Sequence, residues 1–252
     1  IYTNIYNKYG LAYIYERNTH TGIWTWKQEL RAASPGNENY FGYSVTINGN
    51  YAVVGAYGND SSKGSAYIFE RDSNGLWGQE VSGQSYRTET QKIQATDKTS
   101  NDLFGFNVSI SGNYAIIGSR LEDGVYSNDT NEGSAYIFER NTNGIWEQIN
   151  KIQATNAGSG DQFSFGISLD STHAFIGAPF EDTGYDNAGA VYIFEKPNQL
   201  ALKQPTVVTL DESILKIENY MFRNQDIDEN GNEDKYDHIT FNVPIGKEII
   251  TL

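Results

Sequence analysis

The sequence predicts an all-β chain assembled from repeated four-stranded sheets, and three observations carry that prediction. First, the octapeptide GSAYIFER stands at residues 64–71 and again, letter for letter, at 133–140, with near-copies GLAYIYER at 10–17 and GAVYIFEK at 189–196. A chain that writes one octapeptide four times is stacking a structural unit. Second, the neighbours of the octapeptide fall into register. A turn and a tryptophan follow it in NTHTGIW (18–24), DSNGLW (72–77) and NTNGIW (141–146); FGYSVTINGNYAVVGA (41–56), FGFNVSISGNYAIIGS (104–119) and FGISLDSTHAFIGAP (165–179) precede the last three copies. Third, the apolar runs are short, β-branched or aromatic, and bounded by Gly or Asn-Gly, which favours strands over helices.

In chain order, the first strand of the unit is FGFNVSI, closed by Ser111-Gly112-Asn113, whose Gly and Asn tolerate the positive φ of a tight hairpin. The second is YAIIGS, the third AYIFER, and the fourth opens at Trp146 after the Asn143-Gly144 turn. Both alternating sets of YAIIG and AYIF are apolar, so both sheet faces are expected to be buried. Four-stranded units covered on both faces pack face to face around an axis, as a β-propeller. The octapeptide is then the third strand of a blade, its Tyr and Phe turned to one neighbouring blade and its Ala and Ile to the other. Its terminal Glu-Arg (Glu70-Arg71, Glu139-Arg140) is expected at the solvated rim. The octapeptides are unequally spaced, and the variation is assigned to loop insertions ahead of each copy.

These motifs resemble the FG-GAP repeat of integrin α-subunit propellers and bacterial surface proteins. The resemblance covers residues 9–196 and is most specific over 41–155, where two consecutive copies agree at most positions. It implies an extracellular propeller, usually of seven blades. This chain supplies two strands of one blade, two whole blades and three strands of another, a partial ring. Integrin-type repeats also carry a DxDxDG calcium loop between the first two strands. Here that place holds INGNY, ISGNY and LDSTH, which read as plain hairpin turns, so blade-borne calcium does not carry over.

Residues 1–198 thus read as FG-GAP-type blades, 199–206 (QLALKQPT, broken at Pro205) as a linker, and 207–252 as the start of a second small β domain. That segment carries VVTL, ILKIENY, HITFNV and EIITL and ends inside a strand-like run, so it is expected to be truncated. Too short for a comfortable core, it needs more chain, a partner or a metal. Within it lies DIDENGNEDKYD (226–237). Numbered as a twelve-residue calcium loop, it places Asp226, Asp228 and Asn230 at positions 1, 3 and 5 and Gly231 at the sharp turn. The carbonyl of Asn232, Asp234 and Asp237 fall at 7, 9 and 12. The spacing resembles the DxDxNG loops of EF-hand-like and dockerin-like sites, with Asp rather than Glu at 12 and Glu233 at the usually apolar position 8. Ca²⁺ is the expected cofactor.

Composition excludes several classes. With no cysteine, the chain has no disulfide, thiol catalysis or Cys-ligated zinc. A net charge of −14 opposes binding to nucleic acid. No apolar run reaches the ~20 residues of a membrane span, so no membrane insertion is expected. The chain opens at Ile1, so a signal peptide is expected to be already removed or to lie outside this sequence. His20, His173 and His238 are isolated, and no P-loop, GxSxG or HExxH is present. Glu122, Asp123, Glu181, Asp182 and Asp186 fall in the second-to-third-strand loops and could meet on one propeller face, where paired carboxylates can hydrolyse glycosides. Solvated acidic loops explain them as well. Asn59 and Asn128 open glycosylation sequons of a kind common by chance. Of Trp24, Trp26, Trp77 and Trp146, three recur at one strand position, which favours blade packing over sugar stacking.

The expected function is therefore a non-enzymatic secreted or cell-surface interaction, adhesion or structural module. Its expected partners are other protein chains or missing blades of the same protein. A glycan-binding, lectin-like propeller is the alternative, and a propeller glycoside hydrolase or lyase a second.

Overall fold

The computed structural model describes residues 10–123, 131–182, 187–195 and 206–208; the calcium-type loop, Asn128, Asp186 and His238 lie outside them. The chain divides into two compact units, Ile1–Val207 and Val208–Leu252. The strands, in chain order, are β1 (Ala12–Arg17), β2 (Trp24–Arg31), β3 (Ser44–Asn48), β4 (Tyr51–Ala56), β5 (Ser65–Glu70), β6 (Gln79–Glu80), β7 (Tyr86–Thr88) and β8 (Gln91–Ile93). They continue as β9 (Asn107–Ser111), β10 (Tyr114–Ser119), β11 (Ser134–Arg140), β12 (Trp146–Ile152), β13 (Gly166–Leu169), β14 (His173–Ala178), β15 (Ala190–Glu195) and β16 (Thr206–Val208). They form four separate four-stranded sheets, β1-β2-β7-β6, β3-β4-β5-β8, β9-β10-β11-β12 and β13-β14-β15-β16. The hairpins β3–β4 and β9–β10 close over Gly49-Asn50 and Gly112-Asn113, set by the pairs Asn48↔Tyr51 and Ser111↔Tyr114. The chain is all-β and built of propeller-type blades.

The cores lie between sheets, and the octapeptide divides its side chains as its alternation dictates. In β5, Tyr67 and Phe69 pack with Ala12 and Leu30 of the first sheet, while Ala66 and Ile68 pack with Val108, Ile110 and Ile117 of the third. In β11, Tyr136 and Phe138 face back to the second sheet, and Ala135 and Ile137 face forward to Ile176 and Tyr192. Burying one such side chain is worth roughly 1.5–3 kcal/mol, so each junction rests on several.

Two further devices repeat at the junctions. The Gln28 amide accepts from Trp77 N–H at 2.9 Å and donates to Trp77 C=O at 2.6 Å; Gln91 does the same for Trp146, at 2.9 and 2.8 Å. One side-chain amide thus satisfies both backbone groups of a buried residue in the next sheet, where unpaired they would be costly. Gly64, the first residue of the octapeptide, bridges Phe104 of the next sheet. A Cβ at Gly64 would lie 1.9 Å from the Phe104 carbonyl oxygen, and its φ of +86° is left-handed. Glycine is required there on both counts.

The structure departs from the sequence reading in four places. The fourth repeat starts at Phe163-Ser164, not at Phe165-Gly166. Phe163 is fully buried and meets Tyr192 and Phe194 edge-on at 5.2 and 6.2 Å, as Phe104 meets Tyr136 and Phe138 at 5.5 and 6.0 Å. Ser164 takes the glycine slot at φ +76°, and its Oγ accepts from Ser119 N–H at 3.1 Å. Second, the fourth strand opens at the tryptophan in the third sheet but not in the second. From Trp77 to Gln91 the chain crosses to the first sheet, where β7 runs parallel to β2 with Glu29↔Tyr86, and β6 pairs with β7. This insertion follows its octapeptide instead of preceding it. Third, β16 gives the last sheet a fourth strand inside the segment read as linker and second domain. Fourth, the octapeptide's terminal Arg140 does not end in solvent; it is half-buried, 3.2 Å from Glu70 of the preceding sheet and 5.2 Å above the Tyr51 ring.

Candidate functional surface

The loops that join second to third strands, and those that lead into each first strand, carry polar residues at repeated positions. Two residues before Phe41, Phe104 and Phe163 stand Asn39, Asp102 and Asp161; three after the second strands stand Asn59, Glu122 and Glu181. All six are buried. Asp102 accepts from the Thr99 N–H and from Thr99 Oγ1 at 2.7 Å, and Asp161 from Gly158 N–H at 2.8 Å. Burial pushes both carboxyls above an ordinary aspartate, against these hydrogen bonds. Both tie their own loops.

Glu122 is enclosed in the same way. It accepts from Ser134 Oγ, from Gln153 at 3.2 Å and from Lys151 Nζ at 2.6 Å; Lys151 also reaches Asp97 at 2.8 Å. In the second sheet, Asn59 takes the place of Glu122, and its Oδ1 accepts from Ser65 at 2.7 Å and from Lys92 at 2.8 Å. The two lysines respond oppositely. Burial alone pulls Lys151 down, but its hydrogen bonds to Asp97 and Glu122 and their charges carry it above an ordinary lysine. Facing a neutral amide, Lys92 is pulled down by desolvation. Glu181 accepts from Asn156 at 2.6 Å, which in turn accepts from the Tyr192 hydroxyl at 2.8 Å.

The carboxylates singled out in the sequence are thus distributed, each within its own sheet's network. Asp123 and Asp182 each accept from a backbone N–H in their loop, those of Asn131 and Asn187. Among the described residues no cluster of three His, Cys, Asp or Glu could hold a metal. The Asn59 sequon sits inside its buried network. Trp77 and Trp146 are buried at junctions, and Trp24 and Trp26 are exposed on the first sheet. His20 is exposed beside Thr19, and His173 Nδ1 lies 2.8 Å from Thr172 Oγ1.

An aromatic row, not anticipated from the sequence, occupies the same end of the innermost strands. Tyr43, Phe106 and Phe165 stand two residues after Phe41, Phe104 and Phe163, with ring centroids 5.0 and 5.6 Å apart. Tyr57 sits 4.6 Å from Tyr43 and stacks on Tyr40 at 4.8 Å. Burial, then Tyr40 and Tyr43, raise the Tyr57 hydroxyl pKa. The Arg120 guanidinium lies 4.3 Å over Phe106 and bonds Gln162 at 2.5 Å. Tyr40, Tyr43 and Phe165 remain exposed. The signal was in the sequence as an aromatic two places after each Phe (FGY, FGF, FSF), but the misplaced fourth repeat hid it.

Among the described residues, no helix is long and apolar enough to cross a membrane. No curated protein matches the chain. Among solved structures, a "putative 6-phosphogluconolactonase" from Bacteroides uniformis ATCC 8492 is similar at 14% identity and a TM-score of 0.37, over 90% of this chain and 70% of that one. The FG-GAP repeat model matches residues 24–69, 88–138 and 146–194. On that match, over more than half its length, the chain belongs to the FG-GAP repeat family.

Proposed function

We propose that this chain is a non-enzymatic extracellular or cell-surface interaction module, with the row Tyr40–Tyr57–Tyr43–Phe106–Phe165 as its contact surface. The observation that carries the reading is the row's exposure. Exposed rings also stand on the first sheet (Tyr13, Tyr15, Trp24 and Trp26), but here exposed Tyr40, Tyr43 and Phe165 join half-buried Tyr57 and Phe106 in one continuous ring-to-ring cluster at one end of three inner strands. Clustered exposed rings beside an arginine match the composition of protein contact sites. The acidic surface and family membership support an extracellular setting. A calcium loop at Asp226, Asp228, Asn230, Asn232, Asp234 and Asp237 belongs to the same proposal, since four carboxylates in one turn repel one another until a divalent ion neutralises them.

The test presents the bead-immobilised protein to purified matrix proteins and to a glycan array, beside a Tyr43→Ala/Phe165→Ala variant. Binding to a matrix protein that falls at least about tenfold in the variant supports the reading; no matrix-protein binding by the parent sinks it. The exposed Phe165 ring lies 5.7 Å from the Arg120 guanidinium, which bonds Gln162, and Asn107 donates to the Phe165 carbonyl; polar groups beside a ring also suit sugar stacking, so hits confined to glycans favour the lectin-like alternative.

A further inference from the structure

Four arginines among the described residues are half-buried: Arg31, Arg87, Arg120 and Arg140. A partly desolvated guanidinium is costly unless something answers its charge. A carboxylate answers three of the four: Glu29 at Arg31, Asp72 at Arg87 (2.8 Å) and Glu70 at Arg140 (3.2 Å). Two of these also lie over a ring, Arg31 at 4.3 Å above Tyr86 and Arg140 at 5.2 Å above Tyr51. Arg120 has the ring and lacks the acid. Its hydrogen bond runs from Nη1 to the neutral amide of Gln162, its Nε is buried without a partner, and no carboxylate among the described residues pairs with it.

Repeat register explains how the cation comes to stand in a row of rings. Arg120 directly follows β10, as Tyr57 directly follows β4. Tyr57 lies 4.6 Å from Tyr43 of its own repeat and 5.7 Å from Phe106 of the next; Arg120 lies 4.3 Å from Phe106 of its own repeat and 5.7 Å from Phe165 of the next. A planar cation has replaced a planar phenol in one slot. The rings hold its plane and desolvate it in advance, and a guanidinium fork so held matches a carboxylate. Exposed Tyr43 and Phe165 near it call for apolar or aromatic groups beside that carboxylate. The chain's net charge of −14 repels a polyanion at long range. A single acid within a partner of low net negative charge escapes that repulsion, which favours a protein segment over an acidic polysaccharide.

We infer that Arg120 is the carboxylate-recognising residue of the aromatic row: it takes an Asp or Glu side chain of a partner protein, from a segment whose neighbouring apolar or aromatic residues cover Tyr43 and Phe165. The inference rests on the row being the contact surface and adds the chemistry of what it contacts. The partner's acid does at Arg120 what Glu29 and Glu70 do at Arg31 and Arg140.

The test titrates the whole chain with two capped peptides, Gly-Tyr-Asp-Tyr-Gly and its neutral isostere Gly-Tyr-Asn-Tyr-Gly, and with polygalacturonate, following the Arg120 side chain and the Phe165 ring by NMR. The Asp peptide is expected to bind at least about tenfold tighter than the Asn peptide, and Arg120→Gln to remove the preference. The comparison of the two peptides on the parent chain decides the matter even where the variant folds poorly. Equal binding of both peptides, lost in Tyr43→Ala/Phe165→Ala, overturns the inference and leaves the contact surface standing. Peptide binding that this double variant does not weaken sinks the surface itself, and the inference with it. The inference is also overturned if neither peptide binds, if the Asp preference survives in Arg120→Gln, or if polygalacturonate binds tighter per carboxylate than the Asp peptide, which would make the partner an acidic glycan.

Discussion

Replacing Phe163 and Phe165 separately by alanine tests where the fourth repeat begins. Phe163 is 0% exposed and wedged between Tyr192 and Phe194, whereas Phe165 is 41% exposed, 5.6 Å from the Phe106 ring and 5.7 Å from the Arg120 guanidinium. Truncating a buried phenylalanine costs ~3–5 kcal/mol, the lost transfer energy plus the cavity left behind. At Phe163 the upper half of that range applies, because two edge-on ring contacts go with it. Phe165→Ala loses one partly solvated ring contact and one solvent-screened cation–π contact and should cost about 1 kcal/mol. For a domain of this size each kcal/mol moves Tm by about 2–4 °C, so Phe163→Ala should melt at least ~8 °C below the parent and Phe165→Ala within ~4 °C. Scanning calorimetry or thermal circular dichroism reads the difference, and reversibility of the transition must accompany it. Equal losses, or a larger loss at Phe165, would refute the junction geometry on which the register rests.

Gly133→Ala should destabilise by at least about 3 kcal/mol, since its Cβ would stand 2.1 Å from the Phe163 carbonyl at φ +86°; Gly112→Ala, at φ +58° with open space around it, should cost only about 1–2 kcal/mol. Urea midpoints compare the two. In a ¹³C-detected titration Lys151 should lose its proton above, and Lys92 below, the ordinary lysine value of 10.5. Their stability effects then have opposite signs: Lys151 contributes fully below 10.5 and is lost as pH rises through its folded pKa, whereas the Lys92 penalty is full below its folded pKa and fades as pH climbs toward 10.5. Asn59→Glu should bring Lys92 up; if it does not, the neutral amide is not what keeps that lysine low. Calcium should raise the melting transition of the unit Val208–Leu252 and leave the blades unmoved. Calorimetry with EDTA and with Ca²⁺ measures it, Asp228→Ala should abolish the rise, and a rise confined to the blades would exclude the loop.

What could be read from the sequence was whatever repeats with the period of a strand. Two facing sets of apolar side chains in AYIFE can only be a strand covered on both sides, so the division of Tyr67 and Phe69 from Ala66 and Ile68 followed from alternation alone. The start of the fourth repeat did not, because FSFG offers two phenylalanines in the same phase and the glycine beside the second is the stronger local signal. Only packing against Tyr192 separates them. The excursion of β6 and β7 to the first sheet was equally hidden, since a parallel pairing across fifty-odd residues leaves no mark in either strand. For the candidate surface, the aromatic row is created by neighbouring sheets bringing equivalent positions together, and the roles of Glu122 and Glu181 depend on partners such as Lys151 and Asn156 that no spacing rule connects.

The amide clamps at Gln28 and Gln91 have a consequence for how such chains change length over evolution. Each reads the main chain of the tryptophan in the following sheet and none of its side-chain chemistry. A copy of the second unit would therefore carry both halves of its joint, Gln91 to grip its successor and the backbone of Trp77 to be gripped by its predecessor, whereas the third unit has Asn150 in place of the glutamine. The identity of 64–71 and 133–140 is what tandem copying of such a unit would leave behind.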